Sequence, residues 1–141
     1  MKAIACGDYN RDKKDELFVL RGTSTAAGLY IYRAPSKVGA AIGKPMASVP
    51  KLGSGILGLA AANFDTDKTN LEVAILARTS TGKRALKIHR SPTKVNGTLG
   101  VLVAIVDSVD SRFVGVKGIL YSAASQAASS NACAAPTLKI Q

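Results

Sequence analysis

Short runs of alternating apolar and polar residues follow one another along most of the chain, and Gly, Ser, Thr, Asn and Pro separate them. Alternation with a period of two is typical of β-strands, and the separating residues favour turns. No segment has the sustained apolar period of a capped helix. The pattern therefore predicts an all-β protein. The predicted strands are residues 3–9, 17–21, 29–33, 46–49, 56–64, 73–77, 85–90, 101–106, 113–118 and 137–141.

The chain contains an internal repeat. Residues 4–12 resemble residues 59–67, and residues 29–38 resemble residues 86–95, so the second copy follows the first by 55 to 57 positions. A period of this length indicates that each copy is one supersecondary unit. A third and more diverged copy is predicted from residue 101. We therefore expect one structural unit of three repeats, at residues 1–54, 55–100 and 101–141.

Each of the first two copies has an acidic loop between two strands. In the first loop, oxygen-bearing side chains alternate at Asp8, Asn10 and Asp12, and Glu16 closes the series. Calcium prefers several oxygen ligands, carboxylates among them, and a short loop with ligands at alternate positions can surround one ion. The sequence therefore predicts a calcium site in this loop, formed by Asp8, Asn10, Asp12, the Lys14 backbone carbonyl and Glu16.

The first loop, residues 7–17 (Gly-Asp-Tyr-Asn-Arg-Asp-Lys-Lys-Asp-Glu-Leu), resembles the calcium loop of FG-GAP/VCBS repeats, the blades of integrin-α-like β-propellers. The second loop, residues 62–73, is similar but one residue longer. The resemblance extends over the whole chain and implies three FG-GAP-like blades of a β-propeller. Because propellers close with about four to eight blades, three blades imply a partial ring, a ring completed by a homo-oligomer, or part of a larger propeller. A compact non-propeller β fold is the alternative.

The loops also depart from the family pattern. Lys13 and Lys68 stand where a glycine usually follows the third ligand, a position that often requires a positive φ and is strained for other residues. The inserted residue in the second loop is expected to put Glu72 out of register, and the third copy keeps only Asp107 and Asp110, wrongly spaced. The alternative to calcium sites is hydrogen-bonded turns, in which Asp and Asn side chains cap their own backbone. A second, weaker site would comprise Asn63, Asp65, Asp67, Thr69 and Glu72.

The net charge is +10, from 19 Lys and Arg residues against 9 Asp and Glu residues. Such an excess can attract a polyanion such as nucleic acid. The basic residues are scattered, however, and no aromatic residues are interleaved with them as a base-stacking surface would require. We therefore expect a basic, soluble surface, and nucleic acid is not the favoured partner.

The two cysteines are too few for a disulfide framework. A bridge between Cys6 and Cys133 would connect the first repeat to the last, and the sequence leaves this pairing open. The longest apolar runs are far shorter than a membrane span, so none is expected. The first strand leaves no room for a signal peptide. We therefore expect a cytosolic protein or one whose targeting segment lies outside this sequence, whereas the family resemblance favours an extracellular setting.

Catalytic chemistry has little support in the sequence. The one histidine, His89, lies in a predicted strand where the first repeat has Tyr32, and no HExxH, CxxC pair or phosphate-binding loop is present. We therefore predict that the chain is not an enzyme. The resemblance implies a binding or adhesion module that recognises a glycan or a protein. The alternatives are a basic structural subunit bound to a polyanion within a larger complex, and an accessory domain of a polysaccharide-degrading enzyme.

Overall fold

Two antiparallel four-stranded sheets make up the fold. The computed structural model describes residues 1–23, 25–64 and 71–109, and these residues contain eight strands and no helix. The all-β prediction is therefore confirmed for the described part of the chain. Within those same ranges, no helix is long and apolar enough to cross a membrane.

Each sheet is an up-and-down meander in which consecutive strands are neighbours. Short turns join the strands at one end of each sheet, and longer loops join them at the other. The first sheet contains β1 (Ala3–Gly7), β2 (Glu16–Gly22), β3 (Ala27–Arg33) and β4 (Ala47–Gly53). The second contains β5 (Ile56–Ala62), β6 (Glu72–Arg78), β7 (Arg84–Arg90) and β8 (Leu102–Val109).

Strand β8 differs from its sequence-based assignment. The apolar run at residues 101–106 was expected to open a third repeat, but β8 pairs with β7, with Ala104 opposite Ile88 and Val106 opposite Leu86. It therefore completes the second sheet, just as β4 completes the first. The predicted strands at 113–118 and 137–141, and the rest of the predicted third repeat, lie outside the described residues.

The hydrophobic core lies between the two sheets. Phe18, Leu20, Leu29 and Ile31 of the first sheet are completely buried. They belong to one cluster with apolar side chains of the second sheet, namely Ile56, Leu59, Ala61, Val73 and Ile75. Burial of such side chains contributes about 1.5–3 kcal/mol each, so this interface is a main source of stability.

The sheets pack head to tail, because the two repeats contribute opposite faces to the core. In β2, Phe18 points into the core and Val19 points to the other face, since side chains alternate along a strand. The repeat partner of Val19 is Ile75, and in β6 it is this residue that lies in the core. The opposite side of the first sheet is here called the open face; Ile4 is exposed on it, and its other residues are half-buried, namely Cys6, Leu17, Val19, Tyr30 and Tyr32.

Candidate functional site at the loop rim

The longer connections of both sheets lie at one end of the molecule, here called the loop rim. They comprise residues 8–15, 34–46, 63–71 and 91–101, whereas the opposite end has the short connections 23–26, 54–55 and 79–83. Residues 65–70 of the third rim connection lie outside the described residues. Because loops held by a rigid scaffold are the usual place for recognition, the loop rim is the candidate functional site.

A polar clasp at Ser48 joins the two sheets at the rim. Ser48 is only 1% exposed, and its backbone N–H donates to the Lys94 carbonyl at 3.1 Å. Its hydroxyl accepts from the Asn96 N–H at 2.9 Å, and its carbonyl accepts from the Gly97 N–H at 2.8 Å. All three hydrogen-bonding groups of this residue are therefore used to hold the β7–β8 loop against β4.

A second set of contacts joins the first acidic loop to the second sheet. The Tyr9 hydroxyl donates to the Pro92 carbonyl at 2.8 Å, and the Tyr9 ring packs edge-on against Phe18 with centroids 6.2 Å apart. Burial, and then the nearby Glu16 carboxylate, raise the pKa of Tyr9. A Cβ added at Gly7 would lie 2.7 Å from Leu71 Cδ2, so the backbone of β1 lies against the second sheet. The acidic loop is thus fixed at its base.

Side chains of the first acidic loop cap the loop's own backbone. Asp8 Oδ2 accepts from the Lys13 N–H at 3.0 Å, Asn10 Oδ1 from the Asp12 N–H at 2.9 Å, and Asp12 Oδ1 from the Lys14 N–H at 3.0 Å. These are the hydrogen-bonded turns considered above as the alternative to a metal site. Lys13, which stands where the family usually has a glycine, has a positive φ of 65°, and Arg11 has a φ of 63°.

Glu16 is placed below the loop and binds its backbone. The side chain is completely buried at the start of β2. Its Oε2 accepts from the N–H groups of Tyr9 and Asn10 at 2.9 and 3.3 Å, and its Oε1 accepts from Asn10 Nδ2 at 3.3 Å. Burial raises the pKa of Glu16, the two backbone N–H groups lower it, and the charges of Asp12 and Asp8 raise it. Glu16 therefore acts as a clamp on the loop.

The second copy repeats this clamp. Glu72 is also completely buried, at the start of β6, and its Oε2 accepts from the Phe64 N–H at 2.9 Å. Phe64 is the repeat partner of Tyr9, so Glu72 is in register with Glu16, contrary to the expectation from the inserted residue. Of the predicted second site, Asn63 is exposed, and Asp65, Asp67 and Thr69 lie outside the described residues.

The first loop fits a cation in one respect. Asp8 Oδ1 is buried and has no hydrogen-bond partner in the described structure, and a buried carboxylate oxygen normally binds a donor, a water or an ion. Among the described residues, no group of three His, Cys, Asp or Glu side chains is positioned to hold a metal. The predicted ligand set also includes two oxygens of other kinds, the Asn10 amide oxygen and the Lys14 backbone carbonyl.

The buried role of Glu16 and the clasp at Ser48 were not predicted from the sequence. The sequence does contain a signal for the burial of Glu16. In each copy a glutamate lies on the same strand face as the apolar side chains two and four residues later. These are Phe18 and Leu20 in the first copy, and Ala74 and Leu76 in the second. His89 lies at the rim end of β7, with Nδ1 3.2 Å from the Gly100 carbonyl.

Comparison with protein-family models, curated proteins and solved structures found no match.

Proposed function

We propose that the chain is a non-catalytic binding module with propeller-type stacking, whose loop rim contacts a glycan or a protein. The observation that supports this best is the head-to-tail packing of the two sheets. In a propeller, each blade packs one face on the opposite face of the next, whereas two repeats related by a two-fold axis would bring equivalent faces together. We expect FG-GAP-like blades to pack one face on the opposite face of the next blade.

The rim has the rigidity that recognition requires. The Ser48 clasp, the Tyr9–Pro92 hydrogen bond and the Glu16 clamp fix the bases of the loops, while the tips of the first two rim loops are exposed. Preorganised loops bind with a smaller entropic cost than mobile ones. Residues 35–39 of the β3–β4 loop are all exposed, and Val38 is fully exposed.

The test compares substitutions at the two ends of the molecule. Val38→Asp changes an exposed rim residue, and Thr81→Asp changes an exposed residue of a short turn at the opposite end. The probe is a panel of immobilised neutral polysaccharides and N-glycans. We expect Val38→Asp to weaken binding by tenfold or more and Thr81→Asp to leave it unchanged. Equal binding by both variants, or binding lost only in Thr81→Asp, would remove the rim from the proposal.

A second candidate function is attachment to a polyanion, because exposed basic side chains share the rim. Arg11, Lys13, Lys14, Lys37 and Lys44 are all exposed there. Immobilised heparin separates the two functions: affinity for a polyanion falls steeply with salt as counterions are released, whereas affinity for neutral sugars changes little. A loss of most heparin affinity between about 50 and 200 mM salt, with no binding to neutral glycans, would favour the polyanion function.

Calcium in the first loop is part of the proposal. Asp8, Asn10 and Asp12, with the Lys14 carbonyl, would hold the ion, which would supply the missing partner of Asp8 Oδ1 and stiffen the loop. Glu16 Oε2 accepts from the backbone N–H groups of Tyr9 and Asn10, and Oε1 accepts from the Asn10 side-chain amide, so Glu16 would support the ligands from below. The second loop is a weaker candidate for the same ion.

The proposal also includes assembly into a homo-oligomer or a larger propeller, as the resemblance implies. Head-to-tail stacking is not self-limiting, because each added sheet presents a new face until a ring closes. A homo-oligomer or a larger propeller would result wherever the open face of the first sheet is available to a further sheet.

A further inference from the structure

Three planar side chains lie together on the open face of the first sheet. The Tyr30 and Tyr32 rings are stacked, with centroids 6.5 Å apart and planes 24° from parallel. The Arg21 guanidinium lies 4.5 Å from the centroid of the Tyr30 ring, and its Nη1 donates to the Tyr32 hydroxyl at 3.3 Å. Arg21 is exposed and both tyrosines are half-buried, so solvent reaches all three groups. These three residues are here called the tyrosine–arginine stack.

The pairing of β2 with β3 assembles this stack. Arg21 lies opposite Gly28, so no cross-strand side chain occupies the space beside the arginine. A Cβ added at Gly28 would lie 3.0 Å from Tyr30 Cε2, so the ring lies against this glycine. A base-stacking surface was not predicted from the sequence, where 11 positions separate Arg21 from Tyr32. The strand register brings the aromatic rings and the cation together.

The charge at this surface is positive. The side chains of β1, β2 and β3 that point to the open face include Arg21 but no Asp or Glu. Lys2 is exposed beside the same end of β2, because its backbone N–H donates to the Leu20 carbonyl at 2.8 Å. The whole chain has a net charge of +10. The ligand that matches flat rings beside cations is an anion with planar groups.

We propose that the tyrosine–arginine stack binds single-stranded nucleic acid. Unpaired bases stack on the Tyr30 and Tyr32 rings and on the Arg21 guanidinium, and the phosphates bind the remaining Arg21 N–H groups and the Lys2 ammonium. A single strand is required, because the bases of a duplex are already stacked on one another. Neutral sugars could also stack on the rings, but they would not use the charge.

The surface is ordered before the ligand arrives. The Tyr30 ring and the Tyr32 hydroxyl hold the Arg21 guanidinium in one orientation, which lowers the entropic cost of binding. The tyrosine–arginine stack lies on the sheet and not on the loop rim, so this proposal does not rest on the proposed function.

The first test measures binding of labelled oligonucleotides to the full chain by fluorescence anisotropy, at about 50 mM salt, where electrostatic contacts are strong. The probes are oligothymidine and oligouridine of about 12 nucleotides, which distinguish DNA from RNA, and an abasic deoxyribose phosphate strand of the same length. Because the abasic strand has the charge without the bases, we expect it to bind about tenfold more weakly than oligothymidine. Equal affinity for these two strands, or no binding of either base-bearing strand, would overturn the proposal.

The second test locates the site. Tyr30→Leu removes a stacking ring and keeps an apolar side chain on β3, and Arg21→Gln removes the guanidinium, so each should weaken oligothymidine binding by about tenfold. Lys37→Gln is the matched control, because it also removes one positive charge, but from an exposed position on the loop rim. It should change the affinity by less than about twofold. Circular dichroism checks folding, and Arg21→Gln, at an exposed position, decides the outcome if Tyr30→Leu does not fold.

Three results would assign the binding differently and overturn the proposal. If Lys37→Gln weakens binding and Arg21→Gln does not, the polyanion binds at the rim, and the second candidate function stands without this one. If neutral glycans displace oligothymidine, the rings bind sugar. If wild type sediments as an oligomer that Arg21→Glu converts to a monomer, the open face is covered by a second copy of the chain.

Discussion

At the residue scale, Glu16 shows how one buried carboxylate can shape a loop. Its position on the core-facing side of β2, beside Phe18, removes it from water, and its oxygens meet two backbone N–H groups that have no strand partner. An unsatisfied buried N–H costs about 1–3 kcal/mol, so these two hydrogen bonds offset part of the cost of burying a carboxyl group at this apolar site. Glu72 repeats the arrangement in the second sheet.

The first prediction concerns the pH dependence of stability that Glu16 produces. Because folding raises the pKa of Glu16, its ionised form costs stability. The stabilisation that protonated Glu16 contributes is fully present below the ordinary glutamate pKa of about 4.3. It is lost as the pH rises through the pKa that Glu16 has in the folded protein. Glu16→Gln removes this dependence and keeps an oxygen for Tyr9 and Asn10. We therefore expect the melting temperature of the Gln variant to rise, relative to wild type, between pH 4 and pH 7.

Glu16→Ala is the matched comparison. It leaves the Tyr9 and Asn10 N–H groups without their acceptor, and it should lower the melting temperature at both pH values. The clamp would be disproved if Ala were tolerated as well as Gln. Thermal melts of the three proteins at pH 4, 5, 6 and 7 provide the measurement.

The second prediction concerns calcium in the first loop. At a calcium concentration one hundred times the dissociation constant, binding adds about 2.7 kcal/mol to the free energy of unfolding. Asp12→Ala removes a predicted ligand, so it should abolish the difference in melting temperature between calcium and chelator. Asp107→Ala, on an exposed part of β8, should keep that difference. If wild type melts at one temperature in both conditions, the loop is only a hydrogen-bonded turn.

At the element scale, β3 and β4 pair around an irregularity. Ala27 pairs with Gly53 and Leu29 with Val49, so the register shifts at Gly28 between them. A Cβ added at Gly28 would lie 2.8 Å from the Pro50 carbonyl oxygen, closer than such contacts allow. A glycine in the middle of this strand therefore permits the close approach of another backbone.

The third prediction follows from that approach. Gly28→Ala must push the two strands apart, which should cost about 1–3 kcal/mol of stability, as overpacking generally does. The expected fall in melting temperature is roughly 4–12 °C for a chain of this size. Gly43→Ala is the control, because a Cβ there meets nothing within 4 Å. Equal melting temperatures for the two variants would show that β4 is not held against β3 at this point.

The strands could be predicted from alternation, but their partners could not. Seven of the predicted strands overlap β1 to β7, because turn residues and period-two patterns are local signals. The run at 101–106 was assigned to a new repeat, since six successive apolar residues fit a first strand and a fourth strand equally well. Its pairing with β7 depends on contacts distant in sequence. Glu16 was likewise misassigned from local signals. Its acidic neighbours suggested a metal ligand, whereas its position on the core-facing side of β2 buries it.

At the scale of the whole molecule, one interface unites two sheets that have no strand pairing with each other. Phe18, Leu20, Leu29 and Ile31 supply one side of the core, and Ile56, Leu59, Ala61, Val73 and Ile75 supply much of the other. A small single sheet buries a limited share of its surface, and here the buried side chains of each sheet pack on the other. The described sheets should therefore unfold together.

The last prediction tests this cooperativity with Phe18→Ala. Phe18 is completely buried in the shared core, so its truncation should cost about 3–5 kcal/mol. If the sheets form one cooperative unit, hydrogen exchange should become faster in β5 and β6 as well as in β2 and β3, by a similar factor in each. Val38→Ala, at a fully exposed position, is the control and should change none of these rates. Faster exchange confined to the first sheet would mean that the second sheet is stable without it, and the two repeats would then be independent units joined by a turn.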